Sequence, residues 1–167
     1  DIWCLLYRMG FTTLNVGRSF KVCAAPGDYR QIDVLAVDDE SAIFVECTQS
    51  PSPRRKSMTQ LIEKIVAIRK GANKSVRDHF GKRKIGWVIC TRNVQWTHAD
   101  LDRAEREEIF VIRDGDIEYF QKLADLLRSA ARYQFHGIQF SGDSVSQGKL
   151  AVPAMRVQIG GGQVFFN

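Results

Sequence analysis

Residues 31–49, QIDVLAVDDESAIFVECTQ, contain the clearest strand signals of this chain. Residues 31–38 and 42–48 form two apolar runs with the composition of β-strands, and the DDES segment between them is typical of a hairpin turn. Each run nevertheless contains an acid, Asp33 in the first and Glu46 in the second. The sequence therefore predicts a hairpin with an acid, Asp33 or Glu46, inside each strand.

Hairpin geometry turns these acids into a facing pair. If the turn is centred on the middle of DDES, residues whose numbers add up to 79 face each other, which places Asp33 opposite Glu46 and Gln31 opposite Thr48. Facing positions hold Cβ atoms about 4.5 to 5.5 Å apart, so two carboxylates there repel each other. A shared proton, basic neighbours or a divalent cation such as Mg²⁺ would offset the repulsion. The alternative is an exposed hairpin face, where acids are ordinary.

Helices and further strands are predicted around this hairpin. In chain order they are a helix before Gly10, a strand at 20–24, the two hairpin strands, a helix from Ser52 and Pro53 to Gly71, a strand at 85–90, a short helix capped by Thr97, a strand at 109–113 and a helix over 116–133. This order predicts an α/β (α+β) fold. Its central mixed sheet would comprise an antiparallel three-strand meander and two further strands, flanked by helices.

Length and composition predict one main globular domain. The chain has 167 residues, of which 44% are hydrophobic, enough to bury a sizeable core. It has no apolar run of the roughly 18 to 20 residues that a membrane span needs, and its first residues do not resemble a secretion signal. We therefore expect a cytoplasmic protein without a membrane partner. Because the sequence starts without methionine, we also expect it to be a piece of a longer protein.

The net charge of +5 is concentrated in one part of the chain. Residues 51–84 contain eleven Lys and Arg but only two acids, a local net charge of +9 that leaves −4 for the rest. Such a concentration favours a polyanionic partner over the alternative of an ordinary solvated helix face. The candidate nucleic-acid contacts are Arg54, Arg55, Lys56, Lys64, Lys74 and Arg77.

The segment IDVLAVDDESAIFVECTQ resembles the core motif of the PD-(D/E)XK nuclease superfamily, which includes restriction endonucleases and Holliday-junction resolvases. In that family an acid on the second strand is followed, after a short turn, by Glu-x-Lys on the third. Asp33 and Glu46 match the two acids. The resemblance covers roughly residues 1–130 and implies a restriction-endonuclease-like core that cleaves DNA with Mg²⁺ or Mn²⁺. The metal ligands it implies are Asp33, Glu46 and the backbone carbonyl of Cys47.

The family lysine is replaced here by Thr48. Either catalysis is lost, or the following helix supplies the cation from Arg55, Lys56 or Lys64, the two lysines lying about two turns apart on one helix face. The predicted catalytic residues are Gln31, Asp33, Glu46, Thr48, Lys56 and Lys64. The open alternatives are a metal-dependent endonuclease, a DNA-binding module that does not cut, and a regulatory protein-interaction domain.

The tail KLAVPAMRVQIGGGQVFF resembles a second family, the ParB-like DGQHR domain of DndB-type proteins, which is connected with DNA sulfur modification and phage defence. We therefore predict a nuclease-like domain over 1–140, a linker over 141–150 and the start of a second domain over 151–167. The expected partners are DNA and that second domain, with a homodimer left open.

Overall fold

The computed structural model describes residues 2–17, 21–140, 156–159 and 162–165. These residues form an α+β fold in which a five-stranded mixed sheet is flanked by helices, as predicted. Among the helices in these ranges, none combines the length and apolarity that crossing a bilayer requires.

The described elements are bounded as follows in chain order. They are α1 Ile2–Met9, β1 Thr13–Leu14, β2 Lys21–Ala25, β3 Asp28–Gln31, β4 Val34–Val37, β5 Ser41–Arg55, α2 Thr59–Phe80, β6 Lys84–Gln95, α3 His98–Arg106, β7 Ile109–Ile112, α4 Asp114–Leu126, α5 Arg128–Phe140, β8 Arg156–Ile159 and β9 Gly162–Phe165.

The central sheet has the strand order β1-β4-β5-β6-β7. β4 is antiparallel to both its neighbours, whereas β5, β6 and β7 run parallel, with α2 and α3 as the connections. Val34 pairs with Val45 and Val37 with Ala42, so the predicted hairpin register is confirmed. Because β4 and β5 are antiparallel, the start of β4 lies beside Val45 and close to the residues of β5 that follow it.

Side chains alternate along β5 between two apolar layers. Ile43 and Val45 face the core formed with α1, α4 and α5, whereas Phe44 faces the core formed with α2 and stacks on Trp87 at 4.5 Å between ring centroids. Both layers are dry, because the residues from Ala42 to Val45 are fully buried. By the same alternation, Glu46 projects towards α2.

The predicted meander is wrong in its first strand. β2 pairs with β3 in a separate two-stranded sheet, and the antiparallel neighbour of β4 on its other side is β1. Val22 is buried in the core beneath α2, which holds this small hairpin against the helix instead of the sheet edge.

The predicted limits of the long helix are also wrong. Residues 51–55 continue β5, and α2 begins only at Thr59. Arg54 and Arg55 pair with β6, and this pairing keeps the segment extended. Pro51 and Pro53 agree with it, because proline disfavours helical conformation in the residue before it. Gly71 lies inside α2 and not at its end. A side chain is excluded at this position, because a Cβ would clash with the Cys23 carbonyl oxygen. Glycine at this position lets β2 approach the helix backbone closely.

The predicted final helix is two helices. α4 and α5 are separated by Leu127, whose φ of −155° and ψ of 100° are extended. Each helix buries its own phenylalanine, Phe120 and Phe135, with ring centroids 5.6 Å apart. The predicted linker 141–150 lies outside the described residues. β8 and β9 pair with each other in an antiparallel sheet, and their assignment to a second domain stays a prediction.

Candidate active site

The first component of the site is a buried ion pair between Glu46 and Lys64. Glu46 extends from β5 towards α2 and is only 3% exposed. Lys64, in the second turn of α2, donates to both its carboxylate oxygens, with Nζ 2.8 Å from Oε1 and 2.7 Å from Oε2. The structure thus brings a predicted helix lysine directly to a predicted acid.

The second component is Asp33, which lies in a bend just before β4. The β4–β5 ladder ends at the pair Val34–Val45, one pair short of Asp33 with Glu46. The Cys47 backbone N–H donates to Asp33 Oδ2 at 2.7 Å. The other oxygen, Oδ1, receives no hydrogen bond from the part of the chain that the structure describes. Asp33 is therefore held beside Glu46 with one carboxylate oxygen available.

The third component is Thr48, two residues after Glu46 on β5. Lys56 Nζ donates to Thr48 Oγ1 at 2.5 Å. Lys56 precedes α2, so the expectation that Lys56 and Lys64 share one helix face is wrong, because that helix starts only at Thr59. The two ammonium groups instead reach the site from separate parts of the chain, one contacting residue 48 and the other residue 46.

The electrostatics of the site centre on Glu46. Burial raises the pKa of the Glu46 carboxyl above its ordinary value; the hydrogen bond and positive charge of Lys64 lower it, and the negative charge of Asp33 raises it again. The net effect is a raised pKa, so Lys64 offsets burial only in part. A second cation near Glu46 would favour the ionised form further.

Cys47 contributes only its backbone to this face. Its side chain lies on the opposite face of β5 from that of Glu46, the face it shares with Cys90, its register partner on β6. The pKa of the Cys47 thiol is raised, mainly by a hydrogen bond with the Cys90 thiol and by burial, and to a smaller extent by the charges of Asp33 and Glu46. A thiol with a raised pKa is a poor nucleophile at neutral pH.

Several predicted residues do not join the cluster. Gln31 pairs with Lys21 at the end of β3 and does not face Thr48, because the chain leaves the ladder where buried Ile32 turns inward. Lys74 and Arg77 are exposed on α2, roughly 15 and 20 Å along the helix from Lys64 at 1.5 Å per residue. The other two predicted contacts, Arg54 and Arg55, are exposed at the end of β5 instead of on a helix.

Asn15 is the residue that sequence reasoning missed. Its side-chain amide donates to the Asp33 carbonyl oxygen at 3.2 Å, and its Oδ1 accepts from the Leu35 backbone N–H at 2.8 Å. Asn15 thereby fixes the backbone on both sides of Val34 and holds the bend that presents Asp33. The only local signal was an asparagine two residues before Gly17, which indicates a turn but no distant contact.

A second polar cluster lies at the opposite end of β5. Ser41 Oγ is 3.1 Å from His136 Nε2, and Asp38 accepts from the Ser41 backbone N–H at 2.7 Å and pairs with Arg132 at 3.0 Å. Burial lowers the pKa of His136, against the opposing charge of Asp38. Ser41 is fully buried, and both Ser41 and Asp38 face the same imidazole nitrogen, so the geometry of a hydrolytic triad is absent from this cluster. The cluster joins α5 to the hairpin turn.

The oxygen atoms around Glu46 could bind a hard cation such as Mg²⁺ only if water completes the coordination. The described residues contain no group of three or more His, Cys, Asp or Glu side chains placed to hold a metal ion. Two carboxylates and the Cys47 carbonyl would be the protein ligands, and Mg²⁺ usually keeps several waters beside one or two carboxylates. The donor chemistry therefore fits, with Lys64 as a competitor for Glu46.

Comparison with known proteins gives a match of fold alone. No protein-family model matches the chain, and no curated protein matches it either. A crystal structure described as protein of unknown function AF1548 is similar, with a TM-score of 0.50 and 18% sequence identity over 67% of this chain and 54% of that one. The chain thus spans about half the length of that protein, and the similarity concerns the arrangement of helices and strands.

Proposed function

We propose that this domain is a magnesium-dependent DNA endonuclease in which Lys64 replaces the lysine that the nuclease motif places at position 48. The observation that carries the proposal is the contact of Lys64 with both oxygens of Glu46, 2.8 and 2.7 Å from Nζ, with Asp33 beside them. An acid pair and a lysine on neighbouring elements are the groups that the PD-(D/E)XK resemblance requires.

In this proposal, Asp33, Glu46 and the Cys47 carbonyl hold Mg²⁺ or Mn²⁺. The ion, when bound, supplies a Lewis acid and lowers the pKa of a coordinated water. Lys64 favours the ionised form of the Glu46 carboxylate against the effect of burial. Lys56, fixed by Thr48, places a second ammonium where it can offset negative charge on a phosphate. Lys74 and Arg77 extend the positive surface for DNA along α2.

The biological setting we propose is a cytoplasmic restriction or phage-defence protein, linked to DNA modification. Its support is the resemblance of the tail to the DGQHR domain. The local net charge of +9 over residues 51–84 supports a polyanionic substrate.

A second function, DNA binding without cleavage, is favoured by one observation. Lys64 already satisfies both Glu46 oxygens, so the carboxylate has an ammonium partner where a nuclease needs a metal. In that case the acids would be structural and the basic surface alone would act.

Metal-dependent cleavage by the full-length protein decides between these functions. Supercoiled plasmid is incubated with wild type, Asp33→Asn and Glu46→Gln, in Mg²⁺, Mn²⁺ or EDTA, with Lys122→Met on α4 as a matched exposed control. Nicking or linearisation that needs the metal and both acids, and that Lys122→Met retains, supports the nuclease.

Binding separates the remaining alternatives. Salt-dependent duplex binding without cleavage in either metal would identify the non-cutting module, because phosphate contacts release counterions. If wild type neither cleaves nor binds DNA at moderate salt, both proposals are wrong and a regulatory protein-interaction domain remains.

A further inference from the structure

β5 and β6 continue as a pair beyond the rest of the sheet. The ladder with β4 ends at Val45, and the ladder with β7 ends at Cys90. β5 and β6 nevertheless stay paired through Gln49 with Arg92 and on to Arg55 with Gln95. We call this two-stranded extension, residues 49–55 and 92–95, the ribbon.

The ribbon carries positive charge and side chains that can read bases. It contains three arginines and no acid. Its exposed side chains include Gln49, Arg54, Arg55 and Gln95. Arginine and glutamine are among the residues that form hydrogen bonds with base edges in the major groove.

Register places the two adjacent arginines on opposite faces of the ribbon. Arg54 lies beside Val94 and Arg55 beside Gln95, and successive side chains of a strand point in opposite directions. A ribbon inserted into a groove would therefore present one guanidinium to each side.

The ribbon is also stiffened before any ligand arrives. Three extra residues of β5 bulge out between Gln49 and Arg54, where Pro51 and Pro53 restrict the backbone. Asn93 donates to the Ser50 carbonyl oxygen at 3.1 Å and so ties the bulge to β6. A preorganised surface loses less conformational entropy on binding.

We propose that the ribbon enters the major groove of duplex DNA beside the phosphate that the Glu46 site would cleave. This inference rests on the proposed function and adds the form of the substrate and a second contact. Glu46 lies beside Ile89 and Arg55 beside Gln95, six residues further along β6. At about 3.3 Å per residue this is about 20 Å, or about six base pairs of 3.4 Å.

Duplex DNA fits the ribbon better than other polyanions. The major groove of B-form DNA admits a two-stranded β-ribbon, whereas that of A-form RNA is too deep and narrow for side chains to read. Single strands are bound by stacking on exposed aromatic rings, but Trp96, next to the ribbon, is half-buried and donates to Thr91 Oγ1 at 3.1 Å.

The test uses the full-length protein with Arg54→Ala/Arg55→Ala and, as a control, Lys122→Ala/Arg128→Ala, which removes two exposed charges from α4 and α5. Binding to a 24-base-pair duplex is measured by fluorescence anisotropy in EDTA, with normal guanines and with guanines methylated at N7. We expect wild type and the control to lose about tenfold or more in affinity on methylation. Arg54→Ala/Arg55→Ala should bind normal duplex about tenfold more weakly and be insensitive to methylation.

The outcomes separate this inference from the proposed function. If wild type cleaves or binds DNA but methylation and Arg54→Ala/Arg55→Ala have no effect, the ribbon inference alone is overturned. If wild type neither binds nor cleaves, both are overturned. Where cleavage occurs, shortening the duplex to fewer than six base pairs on one side of the cut should weaken wild type but not the double variant. Equal sensitivity of the two proteins to shortening contradicts the inferred position.

Discussion

Replacing Lys64 with methionine tests the central ion pair. The substitution keeps most of the apolar stem but removes both hydrogen bonds to Glu46, a carboxylate only 3% exposed. Breaking a buried pair in this way typically costs about 3–5 kcal/mol. Since the Lys64 side chain is itself 31% exposed, water partly replaces it, and we expect a loss of about 2–3 kcal/mol at pH 7.

The assay is urea unfolding of the metal-free protein, followed by circular dichroism. Lys70→Met, an exposed lysine of the same helix, should change the free energy of unfolding by less than about 0.5 kcal/mol. Adding Glu46→Gln to Lys64→Met should recover part of the loss, because no buried charge remains unpaired. A loss in Lys64→Met no larger than that in Lys70→Met would mean that the Lys64–Glu46 pair does not stabilise the fold.

Three further predictions follow from particular contacts. Gly71→Ala should lower the free energy of unfolding by about 2 kcal/mol or more in chemical denaturation, because its Cβ would clash with the Cys23 carbonyl oxygen of β2. Gly137→Ala, with open space around the added Cβ, should be stabilising by up to about 1 kcal/mol. Burial lowers the pKa of His136 in the folded protein, so on acidification the imidazole is protonated in the unfolded chain before it is protonated in the folded one. The free energy of unfolding should therefore fall as the pH drops below about 6.5. In urea titrations, His136→Gln should make this fall smaller. Burial raises the pKa of Glu46, so protons should compete with Mn²⁺ for this carboxylate and Mn²⁺-induced stabilisation should weaken on acidification. In Lys64→Met the weakening should begin at a higher pH, because the charge of Lys64 lowers that pKa.

The centre of the sheet could be predicted because its signals are local and agree with each other. Two apolar runs around a four-residue polar turn allow few registers, and a slip by one residue would turn every core side chain of β5 to the wrong layer. The observed pairs from Val34 with Val45 to Val37 with Ala42 follow that rule. The prediction failed just beyond the ladder, where Gln31 belongs to another hairpin.

The errors share one physical origin, which is contact between distant parts of the chain. Glycine is common just after the end of a helix, yet Gly71 lies within α2. Glycine is needed there because β2 packs closely against the helix backbone. Pro53 fits the first turn of a helix equally well, yet pairing with β6 keeps its segment extended. Local preferences alone could not rank these outcomes, since both conformations satisfy them.

Lys64, one of the three predicted candidate cations, contacts Glu46 although the start of its helix was predicted wrongly. The direction in which a helical side chain points is set by the buried stripe, here Ile62, Ile65 and Ile68, and does not depend on where the helix begins. Lys56 had no such constraint, because it lies in the irregular segment before α2. A threonine at position 48 therefore does not leave Glu46 without a cation. The chemistry depends on whether Lys64 yields Glu46 to a metal, and if it does, Mg²⁺ should stabilise Lys64→Met more than wild type.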